Sequence, residues 1–564
     1  MESINERTNT PGWLWETRWQ IVLLALVLSL TYFVNLGSLE PSLMEARNFI
    51  TAREMVGHGN WLVPTMNGYV RLAKPPLPTW LTAWAGLAAG NIENLAALRL
   101  PAALMSSLLV FFFYALVRRL TTDKLLPFLA TLILATSWLL INIGRQGTWD
   151  IYCHSFMVGA LWLMVTGWQQ KKAAYGWFIG AGLLLGCSFI SKGPVAFYTL
   201  LVPFLVSYSY GYGLRYDHWR GVVLLVLVCV AVSVTWPLYI YLAAPESLAL
   251  TVQNEGQAWV NRHVQPLWYY WSFPVQSGIW ALLAAAGLVL PQARQQIQRY
   301  GRYKFVVLWV LLTVLLLSLL PEKKERYLLP AMVPLALLTA CYVRYLLDSF
   351  SSGTATRLDR GLVLTTALLL AAVAFGLPVG YYLFVLKTGA GSGLHLLGVT
   401  VAGGLAGIAV LYFARTRQLL RFLMAAVALH TLALLVIIPN FEAATFPPGS
   451  TTTLQQVRQK KAIRNLDFYA VGGMNPKYIW EVGKPVDTLR ILNNRLQLPS
   501  TLPAVVFATE RLTQAQAPSD SIRVQALASY TYNPKEPGQR YYLHILSKPV
   551  PARSPRRLQT SKQE

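Results

Sequence analysis

Charged residues are scarce in this chain of 564 residues. Asp, Glu, Lys and Arg together make up 13% of it, whereas soluble globular proteins average about 25%. Acids are the scarcest, with 24 Asp and Glu against 48 Lys and Arg, a formal net charge of +24, while hydrophobic residues reach 55%. This composition excludes a soluble enzyme and a disordered regulator. The positive charge leaves nucleic-acid binding and membrane topology as alternatives, and the positions of the charges decide between them.

Cysteine and histidine are also rare, with four and seven residues. The cysteines, Cys153, Cys187, Cys229 and Cys341, are widely spaced within or beside apolar stretches. No CxxC pair, zinc-knuckle spacing or HExxH motif is present in the sequence. We therefore predict four buried free thiols, no metal site and no required cofactor.

Long apolar runs dominate the first 440 residues and predict about thirteen membrane helices. The runs are 20–37, 97–117, 125–143, 154–169, 175–190, 194–209, 221–243, 271–290, 305–320, 327–347, 361–386, 393–413 and 419–438. The short runs 175–190 and 194–209 could instead form one broken or re-entrant element. Residues 1–19 are polar and precede a long run without a small-residue cleavage site, so we expect a cytoplasmic amino terminus and an uncleaved first span.

Basic residues follow the positive-inside rule, because they cluster in alternate short connections. The clusters are Arg118, Arg119 and Lys124; Lys171 and Lys172; Arg215 and Arg220; Arg294, Arg299, Arg302 and Lys304; Arg357 and Arg360; and Arg415, Arg417 and Arg421. All six fall on the cytoplasmic side if the amino terminus is cytoplasmic. The outer side then receives segment 38–96, the turn after Gly144, segment 244–270 and everything after about 439. Charge spread in this way excludes nucleic-acid binding, which needs one contiguous patch.

The last 125 residues differ from the rest in composition. Period-two apolar segments, LDFYAV at 466–471, AVVFAT at 504–509 and YYLHIL at 541–546, are separated by turn residues. They predict a small extracytoplasmic α/β domain over 439–550, followed by a disordered basic tail over 551–564. The sequence contains no internal repeat of the kind found in many transporters.

The first outer segment, 38–96, is longer than a linker needs to be. Its stretch MEARNFITAREM places Glu45, Phe49 and Ala52 on one helical stripe. One interpretation is a helix at the membrane surface whose charges simply face water. The other is a functional loop on the outer face.

The loop resembles a known family, the GT-C superfamily of polyprenyl-phosphate-sugar-dependent glycosyltransferases. It is most similar in pattern to bacterial aminoarabinose transferases of lipid A and to protein O-mannosyltransferases. Residues that match in order and spacing are Glu45, Arg47, Arg53, Glu54, Met55, Gly59, Asn60, Trp61, Pro64, Asn67, Gly68, Lys74, Pro75 and Pro76. The resemblance continues more loosely through Asp150, 191–194 and 324–330. It implies an all-α polytopic membrane protein with about thirteen transmembrane helices, its catalytic domain spanning 20–438, and the small outer α/β domain.

The chain departs from the family pattern at two acidic positions. The leading aspartate, usually assigned a catalytic role, is Met44 here, and the acid before the loop lysine is Ala73. Of the acidic pair at 44–45 only Glu45 is present, and Glu40 is the nearby acid that could substitute for the missing aspartate. If the acceptor is a phosphate, its oxygen is already ionised and no strong base is required.

A transfer from a lipid phosphate needs a carboxylate to position or deprotonate an acceptor, cations for the leaving phosphate and an apolar groove for the lipid tail. The acids expected at the outer face are Glu45 and Asp150. The cations that break the positive-inside rule, and are therefore assigned to the donor phosphate, are Lys74, Lys192, Lys323, Lys324 and Arg326. Other residues assigned to substrate binding are Arg47, Glu255, Arg262, His263 and Tyr327.

Each of these assignments has a structural alternative. Asp150 could be a helix cap or pair with Arg145, and the cations at 323–326 could bind lipid headgroups or pair with Glu322 and Glu325. The aromatic residues 268–271 favour an interfacial belt over a sugar-binding floor.

Together these features predict an inverting transferase in a bacterial inner membrane, with its active site on the periplasmic face. The expected donor is an undecaprenyl-phosphate sugar, and the expected acceptor is a lipid or other envelope molecule. Membrane lipids are the other expected partners, the protein is expected to be a monomer, and a divalent cation is used by some relatives. The alternatives are a lipid-linked sugar transporter or flippase and a protein O-glycosyltransferase.

Overall fold

The computed structural model describes residues 16–171, 174–213, 216–289, 302–445, 454–531 and 539–548. The chain divides into two compact units, Met1–Pro447 and Pro448–Glu564. The predicted tail 551–564 and the predicted inner-side basic residues Lys172, Arg215, Arg294 and Arg299 lie outside the described residues, as do residues 1–15 of the amino terminus.

The described residues of the first unit are mostly helical, with one short hairpin. Its helices are α1 (Thr17–Leu28), α2 (Leu43–His58), α3 (Leu77–Ala88), α4 (Leu95–Leu120), α5 (Leu126–Ala135), α6 (Trp138–Gly144), α7 (Asp150–Trp168), α8 (Tyr175–Lys192), α9 (Val202–Tyr212), α10 (Trp219–Ala243), α11 (Pro245–Asn261), α12 (Ala281–Val289), α13 (Tyr303–Leu319), α14 (Leu329–Ser351), α15 (Arg357–Tyr381), α16 (Gly393–Arg415) and α17 (Leu419–Thr445). The hairpin pairs β1 (Thr65–Met66) with β2 (Tyr69–Val70). Short 3-10 turns cover Leu267–Tyr270, Phe273–Trp280 and Glu325–Leu328, and a wider helical turn covers Phe197–Leu201.

Many of these helices are long and apolar enough to cross a membrane. Among the described residues eight helices meet that condition, or nine if α5 and α6, which are bent by 59° at their junction, count as one span. Every predicted run overlaps a helix, but the count of thirteen spans stays a prediction. Leu227, Leu368 and Leu405 are more than half exposed, as expected for helix faces that contact lipid.

The core of the unit lies around α14, which is buried along nearly its whole length. The helix packs against α5, α12 and α13, so it has protein on every side. Of the four cysteines, Cys153, Cys229 and Cys341 are buried and Cys187 is half-buried, and all four are free thiols. The prediction of four buried thiols is therefore wrong for Cys187, which lies on a less tightly covered face of α8.

Glycines allow α8 and α10 to approach closely. A Cβ atom on Gly182 would lie 2.6 Å from the carbonyl oxygen of Leu225, and one on Gly186 would lie 2.5 Å from Cβ of Val232. Four-residue spacing of small residues permits such backbone contact between membrane helices. The contact fixes α8, whose last residue is Lys192.

The second unit is an α/β unit built on a five-stranded mixed sheet with the order β4-β3-β7-β9-β8. Its strands are β3 (Asp467–Val471), β4 (Val486–Leu489), β7 (Ala504–Ala508), β8 (Arg523–Thr531) and β9 (Arg540–Ser547), with a small separate pair, β5 (Ile491–Leu492) and β6 (Arg495–Leu496), and helix α18 (Pro476–Val482). Parallel pairing joins β3 to β4 and β7, and antiparallel pairing joins β9 to β7 and β8. The three period-two segments of the sequence form β3, β7 and β9.

We predict that Gly186→Ala destabilises the protein, because the added methyl group meets the branched carbon of Val232, which cannot rotate away. Overpacking of this kind costs roughly 1–3 kcal/mol. Thermal unfolding in detergent should show a lower Tm for Gly186→Ala and no decrease for Gly176→Ala, whose Cβ has no neighbour within 4 Å in the described structure. Equal Tm values for the two variants would contradict the close helix approach.

Candidate active site

The family-like loop begins with a capped helix. Ser42 accepts a hydrogen bond from the backbone N–H of Glu45, and the Glu45 carboxylate accepts one from the N–H of Ser42, which closes a capping box at the start of α2. The acids of helix α2 do not face water, contrary to the surface-helix interpretation. Glu45 and Glu54 are 1% and 4% exposed, and Phe49 and Ala52 are fully buried.

Glu45 makes a buried ion pair with Arg99 of α4. Its Oε1 lies 2.7 Å from Nε of Arg99 and accepts a further hydrogen bond, at 3.0 Å, from the N–H of Gly147. The guanidinium of Arg99 also donates to the carbonyl oxygens of Leu36 and Glu40. Each oxygen of Glu45 thus has protein donors, and the pair ties the start of α2, the 36–40 segment, α4 and the turn at Gly147 together.

Glu54 organises the turn that follows α2. Its Oε2 accepts from the Thr65 hydroxyl at 2.6 Å, and its Oε1 accepts from the N–H of Asn67 at 2.6 Å. Asn67 and Gly68 both have positive φ, as a two-residue hairpin turn requires. The match of Glu54, Asn67 and Gly68 to the family pattern therefore has a structural cause, because these residues shape the hairpin that leads to Lys74.

A cavity of about 350 Å³ brings together residues from four distant segments. We call it the basic cavity; the polar side chains lining it are Lys74, Lys192, Tyr198, Glu255, Arg262, Glu322 and Tyr327. Val195, Val260, Leu317 and Leu320 supply an apolar part, and Ala73 also lines it. Its size lies within the range of small-ligand sites, about 300–1,000 Å³. Five of the twelve predicted site residues line this cavity.

Positive charge exceeds negative charge around the basic cavity. Lys74 lies 3.3 Å from Glu255, and burial lowers the pKa of Lys74 while Glu255 opposes that decrease and Lys192 adds to it. Burial, together with the nearby charge of Arg47, lowers the pKa of Arg71 to about 10. An anion in the cavity would relieve this repulsion and stabilise the charged lysine.

Asp150 holds two of the predicted cations. The carboxylate, at the first position of α7, pairs through Oδ1 with Lys192 and through Oδ2 with Nη2 of Arg326 at 2.8 Å. The side chain of Asp150 is 6% exposed. Pairing with Arg145 is wrong, because the Arg145 guanidinium donates to carbonyl oxygens in the 31–35 turn.

Two short antiparallel segments, 262–265 and 321–324, form what we call the ladder. Its hydrogen bonds run from the N–H of Gln265 to the carbonyl oxygen of Pro321 and from the N–H of Lys323 to that of His263. Arg262 and Glu322 of the ladder line the basic cavity. Glu322 accepts hydrogen bonds from Arg262 and Lys324, which outweigh the effect of burial and hold its pKa below the usual value.

Other ladder residues line a second cavity, of about 460 Å³. We call it the amide cavity; its lining includes Asn142, Gln146, Gln265 and Gln276 together with His263, Lys323, Lys324 and Arg326. The structure thus separates the five cations that were predicted to act together, since Lys74 and Lys192 line the basic cavity and the other three line the amide cavity. Lys323 is 3% exposed, and its ammonium donates to the carbonyl oxygens of Gln265 and Leu320.

Aromatic residues support both cavities. The ring of Tyr327 lies 5.0 Å from Nζ of Lys192 and 5.7 Å from Nζ of Lys324. Tyr270 exchanges hydrogen bonds with the backbone of Lys324 and fixes the end of the ladder. Trp268 and Trp271 are 72% and 78% exposed, as an interfacial belt requires.

Two charged residues near the site, Arg99 and Arg71, were not singled out from the sequence, and a third, Glu322, was named only as an alternative partner of the cations at 323–326. Arg99 is the partner of Glu45, Glu322 is the acid of the ladder, and Arg71 stacks on Trp149 at 5.1 Å, next to Asp150. Arg99 lies in the apolar run 97–117, and a lone arginine in such a run is a signal of a buried partner. Among the described residues no group of three or more His, Cys, Asp or Glu side chains is placed to hold a metal ion.

Comparisons with known proteins agree on one family of folds. Residues 73–236 match a family model described as dolichyl-phosphate-mannose-protein mannosyltransferase. The structure of ArnT from Cupriavidus metallidurans bound to undecaprenyl phosphate superposes with a TM-score of 0.67 at 17% identity, covering 95% of this chain and 100% of that one. The chain has the GT-C glycosyltransferase fold.

Curated relatives are aminoarabinose transferases. An undecaprenyl phosphate-α-4-amino-4-deoxy-L-arabinose arabinosyl transferase from Pseudomonas fluorescens is 28% identical over 57% of this chain and 55% of its own length. The corresponding enzyme from Edwardsiella ictaluri is 29% identical over 68% of this chain and 69% of its own length. The chain thus spans little more than half of the first relative it matches.

We predict that Glu45→Gln lowers stability, because it leaves the buried Arg99 without its carboxylate. Removing one partner of a buried ion pair costs about 3–5 kcal/mol. Thermal unfolding in detergent should show a clear decrease in Tm for Glu45→Gln and none for Glu246→Gln, since Glu246 is exposed in the first turn of α11. An unchanged Tm together with lost transferase activity would instead make Glu45 a catalytic residue.

Proposed function

We propose that the protein is a membrane glycosyltransferase that moves a sugar from an undecaprenyl-phosphate donor to a lipid acceptor on the periplasmic face of a bacterial inner membrane. The observation that carries the proposal is the basic cavity, in which Lys74, Lys192 and Arg262 surround a space with an apolar side. Cations suit a phosphate, and the apolar side suits the first isoprene units of its lipid. The named relatives, which are undecaprenyl phosphate aminoarabinose transferases, support the same donor class.

The donor phosphate is assigned to Lys74, Lys192 and Arg262. Arginine can contact two phosphate oxygens at once, and each lysine adds a point charge. The three come from the hairpin segment, the end of α8 and the ladder. A phosphate would therefore bridge three separate segments of the chain, and Glu255 holds Lys74 in place when no donor is bound.

The proposed reaction is an inverting displacement at the anomeric carbon. An oxygen of the acceptor attacks that carbon, the bond from the carbon to the phosphate oxygen breaks, and its electron pair leaves on undecaprenyl phosphate. Lys74, Lys192 and Arg262 stabilise the charge that develops on the leaving phosphate. If the acceptor is a phosphate monoester, as in lipid A, it enters with two negative charges and leaves as a diester with one, so no proton has to move.

That chemistry fits the two acidic positions that the chain has lost. Met44 and Ala73 stand where relatives carry acids, and Ala73 lines the basic cavity. Asp150 is already bound to two cations, so it is better suited to position Lys192 and Arg326 than to accept a proton. Glu45, bound to Arg99, is assigned a structural role. We assign the protein no required metal, and we expect it to act as a monomer.

We predict that Lys74→Met and Lys192→Met each weaken binding of undecaprenyl phosphate by about 10- to 100-fold, since a charge-assisted hydrogen bond contributes roughly 1.5–3 kcal/mol. Binding to the purified protein in detergent should be measured beside Lys387→Met, which removes an exposed lysine far along the chain. Transfer from undecaprenyl phosphate-4-amino-4-deoxy-L-arabinose to lipid A should decrease in the same two variants.

Two results would contradict the proposal. One is unchanged undecaprenyl phosphate binding in both lysine variants. The other is movement of the lipid-linked sugar between leaflets of a reconstituted vesicle with no transfer to any acceptor, which would identify a flippase.

A further inference from the structure

Another cavity, of about 550 Å³, lies at the far ends of the two helices that carry Asp150 and Lys192. Asp150 is the first residue of α7 and Lys192 is the last residue of α8, whereas this cavity is lined by Gln170, just after α7, and by Tyr175, the first residue of α8. Helices of 19 and 18 residues are about 27–29 Å long, close to the thickness of the hydrocarbon core of a bilayer. We call it the far cavity, because it lies about one membrane thickness from the donor site.

The far cavity is on the side that the positive-inside pattern predicts to be cytoplasmic. Its lining includes Lys171 and Arg220, which belong to two of the six basic connections. The side-chain amide of Gln169 donates to the carbonyl oxygen of Arg119 at 2.8 Å, so a third basic connection reaches the same face. Anionic lipids of the cytoplasmic leaflet attract basic residues that lie close to the membrane surface.

The charges that line the far cavity suit a phosphodiester with hydroxyl groups beside it. Lys171 and Arg220 are the cations and Asp217 is the acid, and all three are exposed, so one positive charge is in excess. Lysine offers a point charge and arginine offers parallel N–H groups, a combination that binds phosphate oxygens. The carboxylate of Asp217 only accepts hydrogen bonds, so it suits a hydroxyl group of the same ligand.

An exposed apolar surface begins beside the far cavity and favours a lipid over a free phosphate. Trp219, which lines the cavity, is the first residue of α10 and is more than half exposed, as interfacial aromatic residues are. The buried positions of α10 recur every fourth residue on the side that packs against α8; they include Gly221, Leu225, Cys229 and Ser233. Other positions, Val223, Leu227 and Val230, are exposed and form a continuous apolar stripe. Acyl chains can lie along this stripe, whereas a free phosphate makes no use of it.

We propose that the far cavity binds an anionic glycerophospholipid of the phosphatidylglycerol class from the cytoplasmic leaflet. Its phosphate contacts Lys171 and Arg220, its glycerol hydroxyls donate to Asp217, and its acyl chains lie on the exposed stripe of α10. The site joins the segment after α7 to the start of α10, where Nε2 of His218 already lies 3.2 Å from the carbonyl oxygen of Gln170. A bound lipid therefore stabilises the helices whose other ends carry the donor site, since a ligand that binds only the folded state raises its stability.

The test compares the wild type with a double variant, Lys171→Gln with Arg220→Gln. The matched control, Arg360→Gln with Arg415→Gln, removes two exposed cations that are predicted to be on the same side but do not line the cavity. The full chain, stripped of lipid in detergent, is titrated with phosphatidylglycerol, with zwitterionic phosphatidylethanolamine of the same acyl chains, and with glycerol 3-phosphate. Native mass spectrometry measures the lipid affinity, and thermal unfolding measures the Tm. Neither readout depends on sugar transfer.

We expect phosphatidylglycerol to bind the wild type more tightly than phosphatidylethanolamine and to raise its Tm. The double variant should bind phosphatidylglycerol about tenfold more weakly and the control about as tightly as the wild type, because charge-assisted hydrogen bonds to the phosphate are lost only in the former. Equal affinity of the wild type for the two lipids would overturn the inference, as would unchanged phosphatidylglycerol binding in the double variant. An equal rise in Tm with glycerol 3-phosphate would assign the cavity to a soluble phosphate and reject the lipid.

Discussion

The ion pairs of Asp150 are the interaction on which the rest of the site depends. A carboxylate with 6% of its surface exposed at the end of a membrane helix is stable only with cationic partners. Those partners, Lys192 at the end of α8 and Arg326 in the turn before α14, come from segments that are far apart in the sequence. The Asp150 carboxylate holds both cations in place. It therefore also positions the two cavities that these cations line relative to one another.

A second buried pair keeps this arrangement rigid. Glu45 and Arg99 tie the start of α2 to α4, and the N–H of Gly147 joins the same carboxylate three residues before Asp150. The close contact of α8 with α10 at Gly182 and Gly186 fixes the helix that carries Lys192. Glu45 and the glycines therefore hold in place the segments that carry the groups proposed to contact the substrates.

Local patterns in the sequence were enough to find the helices and the important segments. Each long apolar run in the sequence overlaps a helix of the first unit. Period-two alternation located β3, β7 and β9. Lys74, Lys192 and Arg326 were singled out because a positive charge at their positions breaks the positive-inside rule. What the sequence did not show was which of these residues meet. The ladder joins residues about sixty positions apart, and the pairing of Glu45 with Arg99 joins residues 54 apart, so both depend on tertiary packing that no short window contains.

The central claim is that Asp150 positions Lys192 for the donor phosphate. It is tested most directly by steady-state kinetics of Asp150→Asn, with the KM for the undecaprenyl-phosphate sugar and kcat measured separately and stability checked by Tm. The account predicts that this KM rises, because Lys192 loses the charge that holds it. A variant with this KM unchanged and only kcat reduced would contradict it, and would place Asp150 in proton transfer alone.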